Sequence, residues 1–229
     1  MELYDVMRST GAVRRFTDDP LPDEVLVRIL DNARFAPSGG NRQGWRVIAV
    51  DDPEIRGAMA ELYRARWSAY VEAARSGRVY GSGGAGGAPA GAVTMSPATA
   101  RFLAGATRFA ESFHLVPLQL VICVRLGALA ITDRDLDRPS IVGGASIYPF
   151  VQNLILGFRA EGLGATYTSL LCADEPALLR LLDIPEGHAV AGVVSVGMRR
   201  DPFPSRLTRK PVEEFAVRDR FTGEPLRGG

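Results

Sequence analysis

Apolar residues in this chain recur with helical spacing in some segments and form short continuous runs in others. The spacing at positions 26–33 predicts a helix after Pro22, and Pro53 opens a second helix whose apolar face extends to Ala74. A third helix is predicted from Gly143 to Gly162. The predicted strands cover 45–50, 118–124, 166–168 and 190–198. Helices alternating with strands indicate an α/β or α+β domain.

Three of these segments carry further expectations. The nearly continuous apolar run at 118–124 is typical of a strand covered on both faces. The helix at 143–162 is apolar on several faces, which predicts burial in the centre of the fold or in a subunit interface. Asp174 is predicted to cap a further short helix that runs to Leu182.

In two segments the apolar residues show neither helical nor strand periodicity. Residues 77–92 are almost entirely Gly, Ala, Ser and Pro, a composition that favours a mobile loop, and a lid over a ligand pocket is one interpretation of it. The segment contains neither of the glycine-loop motifs that bind nucleotide phosphates. From about residue 201 the chain is polar and rich in proline, so a tail that docks on a partner subunit is expected. We interpret residues 1–229 as one domain with these two features.

Composition narrows the function classes. The 229 residues have 46% hydrophobic and 23% charged content, with a formal charge of +1, which gives no electrostatic case for a nucleic-acid or anionic-membrane partner. No signal peptide or membrane-spanning apolar run is visible, so a soluble cytoplasmic protein is expected. Cys123 and Cys172 have no metal-ligand spacing, and two reduced thiols are favoured over a disulfide. No metal site is predicted.

Candidate chemistry concentrates between the first helix and the first strand. Pro37, Ser38, Gly39 and Asn41 follow the helix and precede the strand-like run at 45–50. A helix end of this kind leaves backbone hydrogen-bonding groups and amide side chains at one spot, which suits a flat ligand with polar edges. The alternative is purely structural, with Ser38 and Asn41 serving as cap and turn residues.

Four motifs in order resemble the FMN-dependent nitroreductase family over roughly residues 3–216. They are Val13-Arg14-Arg15-Phe16, Pro37-Ser38-Gly39-Gly40-Asn41-Arg42-Gln43, Gln152-Asn153-Leu154 with Glu161-Gly162-Leu163-Gly164, and Thr208-Arg209-Lys210-Pro211. The resemblance implies an α+β fold of the three-layer sandwich type. It further implies a central mixed sheet flanked by helices, in an intertwined homodimer with FMN at the interface.

The same resemblance assigns candidate cofactor residues. Arg14 and Arg209 would hold the FMN phosphate or ribityl chain, and Pro37, Ser38 and Asn41 would edge the ring. The complete candidate set is Gly11, Ala12, Val13, Arg14, Pro37, Ser38, Gly39, Asn41, Tyr167, Thr168, Ser169 and Arg209. No side chain is assigned as catalytic, because the flavin N5 carries the chemistry in such proteins. Read without the resemblance, Arg14 is a solvated arginine, and Thr168 and Ser169 are strand-end hydroxyls.

The implied activity is reduction of FMN by NADH or NADPH, followed by electron transfer to a nitroaromatic, quinone or enone in a ping-pong cycle. Thr10, Gly11 and Ala12 stand where the family usually carries arginine and serine. That departure motivates two alternatives. One is a flavin- or ligand-binding protein without NAD(P)H turnover, and the other is a biosynthetic flavin-dependent dehydrogenase or flavin-consuming enzyme.

Overall fold

A computed structural model of the chain describes residues 1–76 and 97–228. The predicted loop at 77–92 lies outside the described residues. The helices are α1 (Leu3–Ser9), α2 (Asp23–Ala33), α3 (Pro53–Arg75), α4 (Pro97–Glu111), α5 (Tyr148–Ala160) and α6 (Glu175–Leu181), and the strands are β1 (Trp45–Val50), β2 (Leu118–Arg125), β3 (Gly164–Thr168) and β4 (His188–Gly197).

The four strands form one sheet in the order β1-β2-β4-β3, so β1 and β3 are its edge strands. Every neighbouring pair is antiparallel, with Trp45 opposite Val124 and Gly164 opposite Gly197. The fold class is confirmed, but the mixed sheet that we predicted is wrong for the described strands. The reason is topological: β2 and β3 do run parallel, connected through α5, but β4 inserts between them and pairs antiparallel with both.

Helices cover both faces of the sheet and produce a three-layer arrangement. Alternate strand residues point to opposite faces, and each face has its own apolar core. One core packs α3, α4 and α6 against residues such as Val121 and Val193. The other packs α2 and α5 against Leu120 and Val194. Residues 118–124 are buried throughout, which confirms the prediction that both faces of this strand are covered.

A polar pair lies in the centre of this apolar sheet. Gln119 and Ser195 stand opposite each other on β2 and β4 and are fully buried. The Ser195 hydroxyl donates to Gln119 Oε1 at 2.7 Å, and Gln119 Nε2 donates to the Phe113 carbonyl at 3.1 Å. A register shift of one residue would leave these groups buried without partners, so the pair favours one alignment of the two strands.

The chain divides into two compact units. The larger unit, Ala12–Pro202, contains the sheet and five of the six helices. The smaller unit comprises Met1–Gly11 and Phe203–Gly229. Within it, Leu207 N–H donates to the Arg8 carbonyl at 2.8 Å, and a short bridge joins Val217 to Pro225. The single-domain interpretation and the docking role of the tail stay predictions.

Two helix predictions need correction. The helix expected from Gly143 begins at Tyr148, and Val142–Gly144 is an isolated 3₁₀ turn. Pro149 lies in the first turn of α5, where its missing N–H costs nothing, and this fixes the start of the helix. Gly162, with φ of +78°, follows the helix end as predicted.

Asp174 stands at the N-cap of α6 as expected, but its carboxylate makes no hydrogen bond to the helix. Both carboxylate oxygens instead accept from Arg66 on α3, from Nε at 2.6 Å and Nη2 at 2.5 Å. A bidentate arginine contact is stronger than a single amide contact to a cap. Hydrogen bonding to Arg66 lowers the pKa of Asp174. The residue therefore connects α6 to α3 rather than capping its own helix.

Candidate functional site

The loop between α2 and β1 has an unusual backbone. Gly40, Asn41 and Gln43 all have positive φ values, of 62°, 51° and 46°. The conformation is costly for a residue such as Gln43 and persists only where neighbouring contacts impose it. Ser38 Oγ accepts from Gln43 N–H at 3.0 Å, and Asn41 Oδ1 accepts from Gln43 Nε2 at 3.1 Å. The two side chains predicted to edge a ligand therefore shape the loop, while Asn41 and Gln43 remain exposed.

Neighbouring segments anchor both ends of this loop. Gly39 N–H donates to Ser146 Oγ just before α5, at 3.0 Å. Arg125 N–H donates to the Gly44 carbonyl at 2.8 Å. A Cβ on Gly44 would overlap Ala128, so only glycine fits this close approach. Pro37, Ser38, Gly39 and Asn41 are thus brought together on a fixed platform at the β1 edge of the sheet.

Arg14 lies at the opposite edge of the sheet. The preceding residue, Val13, donates its N–H to the Ala165 carbonyl of β3 at 3.0 Å and contacts Gly164 closely. The Arg14 guanidinium is half-buried over the ring of Phe102, 5.5 Å from the ring centroid. No carboxylate within the described residues forms an ion pair with Arg14, whereas Arg15 points outward and pairs with Asp201.

Two hydroxyl groups lie near this arginine. Thr168, at the end of β3, has its side chain near the Tyr63 hydroxyl on α3, and its Oγ1 accepts from Leu170 N–H at 3.3 Å. Burial raises the pKa of Tyr63, and the nearby Thr168 side chain and the charge of Arg14 act in the opposite direction. Tyr63 is 4% exposed and stacks on Phe113 with ring centroids 4.4 Å apart. Arg14, Phe102, Tyr63 and Thr168 therefore form one cluster, which we call the arginine cluster.

Tyr167 and Thr168 point to opposite faces of β3. Tyr167 packs against the core beneath α5, and its hydroxyl donates to the Ala191 carbonyl at 2.7 Å. Burial, followed by the neighbouring Tyr148, raises the pKa of Tyr167, so the hydroxyl is held in its neutral donor form. Ser169 follows at the strand end and is exposed. The structure thus brings Thr168 to the arginine cluster and places the Tyr167 ring on the other face.

Gly11 and Arg209 belong to the smaller unit and are described within it. A Cβ on Gly11 would contact Leu207 and Pro204 at 3.5 Å. The Arg209 side chain is exposed, and its Nη1 donates to the Thr208 carbonyl at 2.8 Å. In the same unit the Thr10 hydroxyl donates to the Val6 carbonyl at 2.6 Å, so this hydroxyl stabilises the C-terminal end of α1. Ala12, at the start of the larger unit, is exposed.

The candidate residues of the larger unit therefore form two groups. The loop platform precedes β1, and the arginine cluster borders β3, with β2 and β4 between them. Three strand intervals of about 4.8 Å separate the two edge strands by roughly 14 Å.

Sequence reasoning missed two members of the arginine cluster. Tyr63 lies on the apolar face predicted for the second helix and received no site role, and Phe102 lies on α4, which the pattern did not predict. The helical spacing gave a signal for burial of Tyr63 but none for its hydroxyl partner, which comes from a strand more than 100 residues later.

Comparison with known proteins identifies the family. The model of the nitroreductase family matches residues 7–198, most of the chain. The chain belongs to the nitroreductase family. This confirms the resemblance inferred from the four motifs.

Curated relatives within this family carry different activities. The chain is 31% identical over 204 residues to 5,6-dimethylbenzimidazole synthase of Rhodobacter capsulatus, covering 86% of this chain and 83% of that protein. It is 25% identical over 233 residues to nitrobenzene nitroreductase of Ectopseudomonas oleovorans, covering 93% and 95%.

Solved structures confirm the fold. An oxidised iodotyrosine deiodinase bound to FMN and 3-iodo-L-tyrosine superimposes with a TM-score of 0.70 at 21% identity, covering 96% of this chain and all of that chain. A nitroreductase with bound FMN from Desulfitobacterium hafniense gives a TM-score of 0.63 at 19% identity, covering 96% and 100%. Among the helices described here, none has the length and apolar character needed to cross a membrane.

Proposed function

We propose that the protein is an FMN-dependent oxidoreductase that uses NADH or NADPH to reduce a small organic acceptor such as a nitroaromatic, quinone or enone. Family membership and the FMN-bound structural neighbours support the cofactor. Bound FMN would accept a hydride from the nicotinamide and pass the electrons to the acceptor.

The main support for the proposal is the environment of the Arg14 side chain. Arg14 is half-buried and lines a cavity of about 260 Å³ without forming an ion pair to a carboxylate among the described residues. An anionic ligand group would compensate its charge, and arginine suits phosphate because it can donate two parallel hydrogen bonds. The residues present therefore fit the anionic part of a flavin nucleotide.

The other residues would orient the flat part of the cofactor. Pro37 and the exposed amides of Asn41 and Gln43 offer an apolar surface and hydrogen-bond donors on a loop whose shape is already fixed. Preformed donors of this kind stabilise negative charge that develops during a reaction, because they need no reorganisation. Thr168 and Tyr63 would keep Arg14 in a polar but sheltered environment.

A second copy of the chain would complete the site. Because the loop platform and the arginine cluster lie at opposite edges of one sheet, we infer that each site combines the cluster of one chain with the platform of another. This accords with the intertwined homodimer implied by the family resemblance.

The first experiment is anaerobic mixing of the purified, FMN-loaded protein with NADH and with NADPH, followed through the visible flavin absorption. Bleaching by either donor supports the oxidoreductase. A flavin that remains oxidised with both donors would favour the alternative in which the protein binds a flavin without NAD(P)H turnover.

Complementation tests the two-chain site. Arg14→Ala and Ser38→Ala should each lower FMN retention when expressed alone. Coexpression of the two variants should restore about a quarter of the wild-type occupancy, because half of the random dimers contain one intact site of two. Arg15→Ala, which alters the outward-pointing neighbour, serves as the matched control. No recovery in the coexpressed pair would contradict the shared site.

The synthase relatives support a second candidate. Identity of 28–31% to three 5,6-dimethylbenzimidazole synthases, over 84–86% of this chain, favours a biosynthetic flavin-dependent enzyme as the alternative. Incubation of the protein with reduced FMN in air, followed by mass spectrometry, distinguishes the candidates. Formation of 5,6-dimethylbenzimidazole would support the synthase, and an unaltered flavin pool would support the oxidoreductase.

A further inference from the structure

A cavity of about 860 Å³ lies beside the N-terminal half of α3. Its walls are formed by α3, by the segments that precede α2 and follow β1 and β4, and by the segment between α4 and β2. Neither the loop platform nor the arginine cluster contributes to its lining. The volume is within the range of pockets that bind small organic molecules.

Arg56 is the distinctive residue of this cavity. Its Nη1 donates to the Val116 carbonyl at 2.5 Å, while its Nε is buried and has no hydrogen-bond acceptor within the described residues. No carboxylate among those residues forms an ion pair with it. Arg56 lines the cavity, and an anion bound there would compensate its charge through the part of the guanidinium that faces the cavity.

Some of the other charged side chains that line the cavity form ion pairs, and others do not. Arg64 pairs with Glu61, and Arg200 lies 3.5 Å from Asp18. Asp51 forms neither an ion pair nor a side-chain hydrogen bond with any described residue, so its carboxylate remains available as an acceptor. The cavity therefore offers an arginine for an anionic group and a carboxylate for hydroxyl or amino groups of the same ligand.

We propose that this cavity binds a phosphate ester of nucleotide size that carries hydroxyl groups, with Arg56 contacting the phosphate and Asp51 the hydroxyls. Arginine is suited to phosphate because its fork matches two phosphate oxygens, and Arg200 and His114 line the cavity nearby. The proposal is independent of the activity proposed above.

Substitution of Gly57 provides a test of ligand binding in the cavity that should not disturb the fold. It lies on α3 in the cavity wall, and a Cβ built on it meets no atom within 4 Å. A larger side chain at this position would therefore start into open space on the cavity wall. Gly105 on α4 has the same open surroundings but lies outside the cavity lining, which makes it the matched control.

The experiment is isothermal titration calorimetry of the full-length, FMN-loaded protein, desalted to remove free FMN, with AMP, adenosine and inorganic phosphate. We expect AMP to bind with a submillimolar Kd and adenosine to bind at least about 10-fold more weakly. Arg56→Gln should weaken AMP binding by about 10- to 100-fold, since a hydrogen bond to a charged group is lost. Arg180, an exposed arginine on α6 outside the cavity lining, provides the arginine control. Gly57→Leu should also abolish binding, whereas Gly105→Leu and Arg180→Gln should change it by less than about twofold.

Arg14 lines a neighbouring cavity that shares Asp18, Leu115 and Arg200 with this one, but Arg14 itself does not line the proposed site. Arg14→Ala should therefore change AMP binding by less than about twofold, which distinguishes this site from the proposed flavin site. Equal affinity for AMP and adenosine, equal effects of Arg56→Gln and Arg180→Gln, or no AMP binding at millimolar concentration would overturn the proposal. Circular dichroism melting of each variant verifies folding. If Arg56→Gln does not fold, Gly57→Leu against Gly105→Leu decides the question by itself.

Discussion

Replacement of Gly192 by alanine should be among the most damaging small changes to this protein. Gly192 lies in β4 with φ of +149°, a conformation that side chains other than glycine rarely adopt. Its neighbour Tyr167 packs directly over it, and a Cβ at Gly192 would lie 2.7 Å from the Tyr167 hydroxyl oxygen and overlap its ring. The ring cannot simply move away, because its hydroxyl is bonded to the Ala191 carbonyl.

The expected cost has two parts. Backbone strain at a position of this kind contributes about 1–3 kcal/mol. Forcing an extra methyl into a packed position contributes about another 1–3 kcal/mol. Gly192→Ala should therefore destabilise the protein by about 2–6 kcal/mol. Tyr167→Phe, which removes only the hydrogen bond to Ala191, should cost about 1 kcal/mol.

Urea unfolding, followed by the fluorescence of Trp45 and Trp67, measures these values in a double-mutant cycle. In Gly192→Ala/Tyr167→Ala the new methyl enters space that the ring has left, so the steric part should disappear while the backbone strain remains. The two substitutions should thus be coupled by at least about 1 kcal/mol. Strictly additive effects, or a Gly192→Ala protein as stable as the wild type, would refute this account of the close approach.

Three further predictions follow from separate parts of the structure. Gly57→Ala should raise the free energy of unfolding by about 0.5–1 kcal/mol, because alanine stabilises a helix interior and has room here; urea unfolding measures this, and a loss of stability would argue against open surroundings. Burial raises the pKa of Cys123 to about 11, so only about one thiol in a thousand is ionised at pH 8 and modification by a disulfide reagent should be far slower than for glutathione. Asp133 accepts hydrogen bonds from Ser140, Ile141 and Arg138, which lower its pKa; its stabilising contribution is therefore complete above the ordinary aspartate pKa near 4 and is lost as the pH falls below it. Asp133→Asn should consequently lower the Tm at pH 7, and the difference from the wild type should shrink in acid, as calorimetry at several pH values would test.

The pattern of apolar residues predicted most of the helices and strands that bury one regular face. The helix α2, the helix α3 and all four strands lie where periodicity and apolar runs placed them, because the spacing of apolar residues is itself the cause of burial. The short helix α1 escaped prediction, since seven residues provide too few repeats of the period. The helix α4, which begins at Pro97 a short distance after the glycine- and alanine-rich segment 77–92, also escaped prediction.

The candidate site depended on information that no local pattern contains. Motif resemblance identified Arg14 and Ser38, but sequence order alone does not reveal that their segments lie at opposite edges of the sheet, because strand order is fixed by pairing between distant segments. The alternation along β3 also separates Tyr167 from Thr168, although the two are adjacent in the chain. Both facts emerged only once the four strands were assembled.

The edge position of β1 has a consequence for producing the protein. Its six residues, Trp45–Val50, carry a single charge, on Arg46, and the strand pairs on one side only. An edge strand with so little charge is a template on which other chains can add strands. In newly synthesised chains, specific assembly therefore competes with aggregation through the exposed edge of β1. Slow expression at low temperature, rather than a more stable core, is the change that should improve the soluble yield.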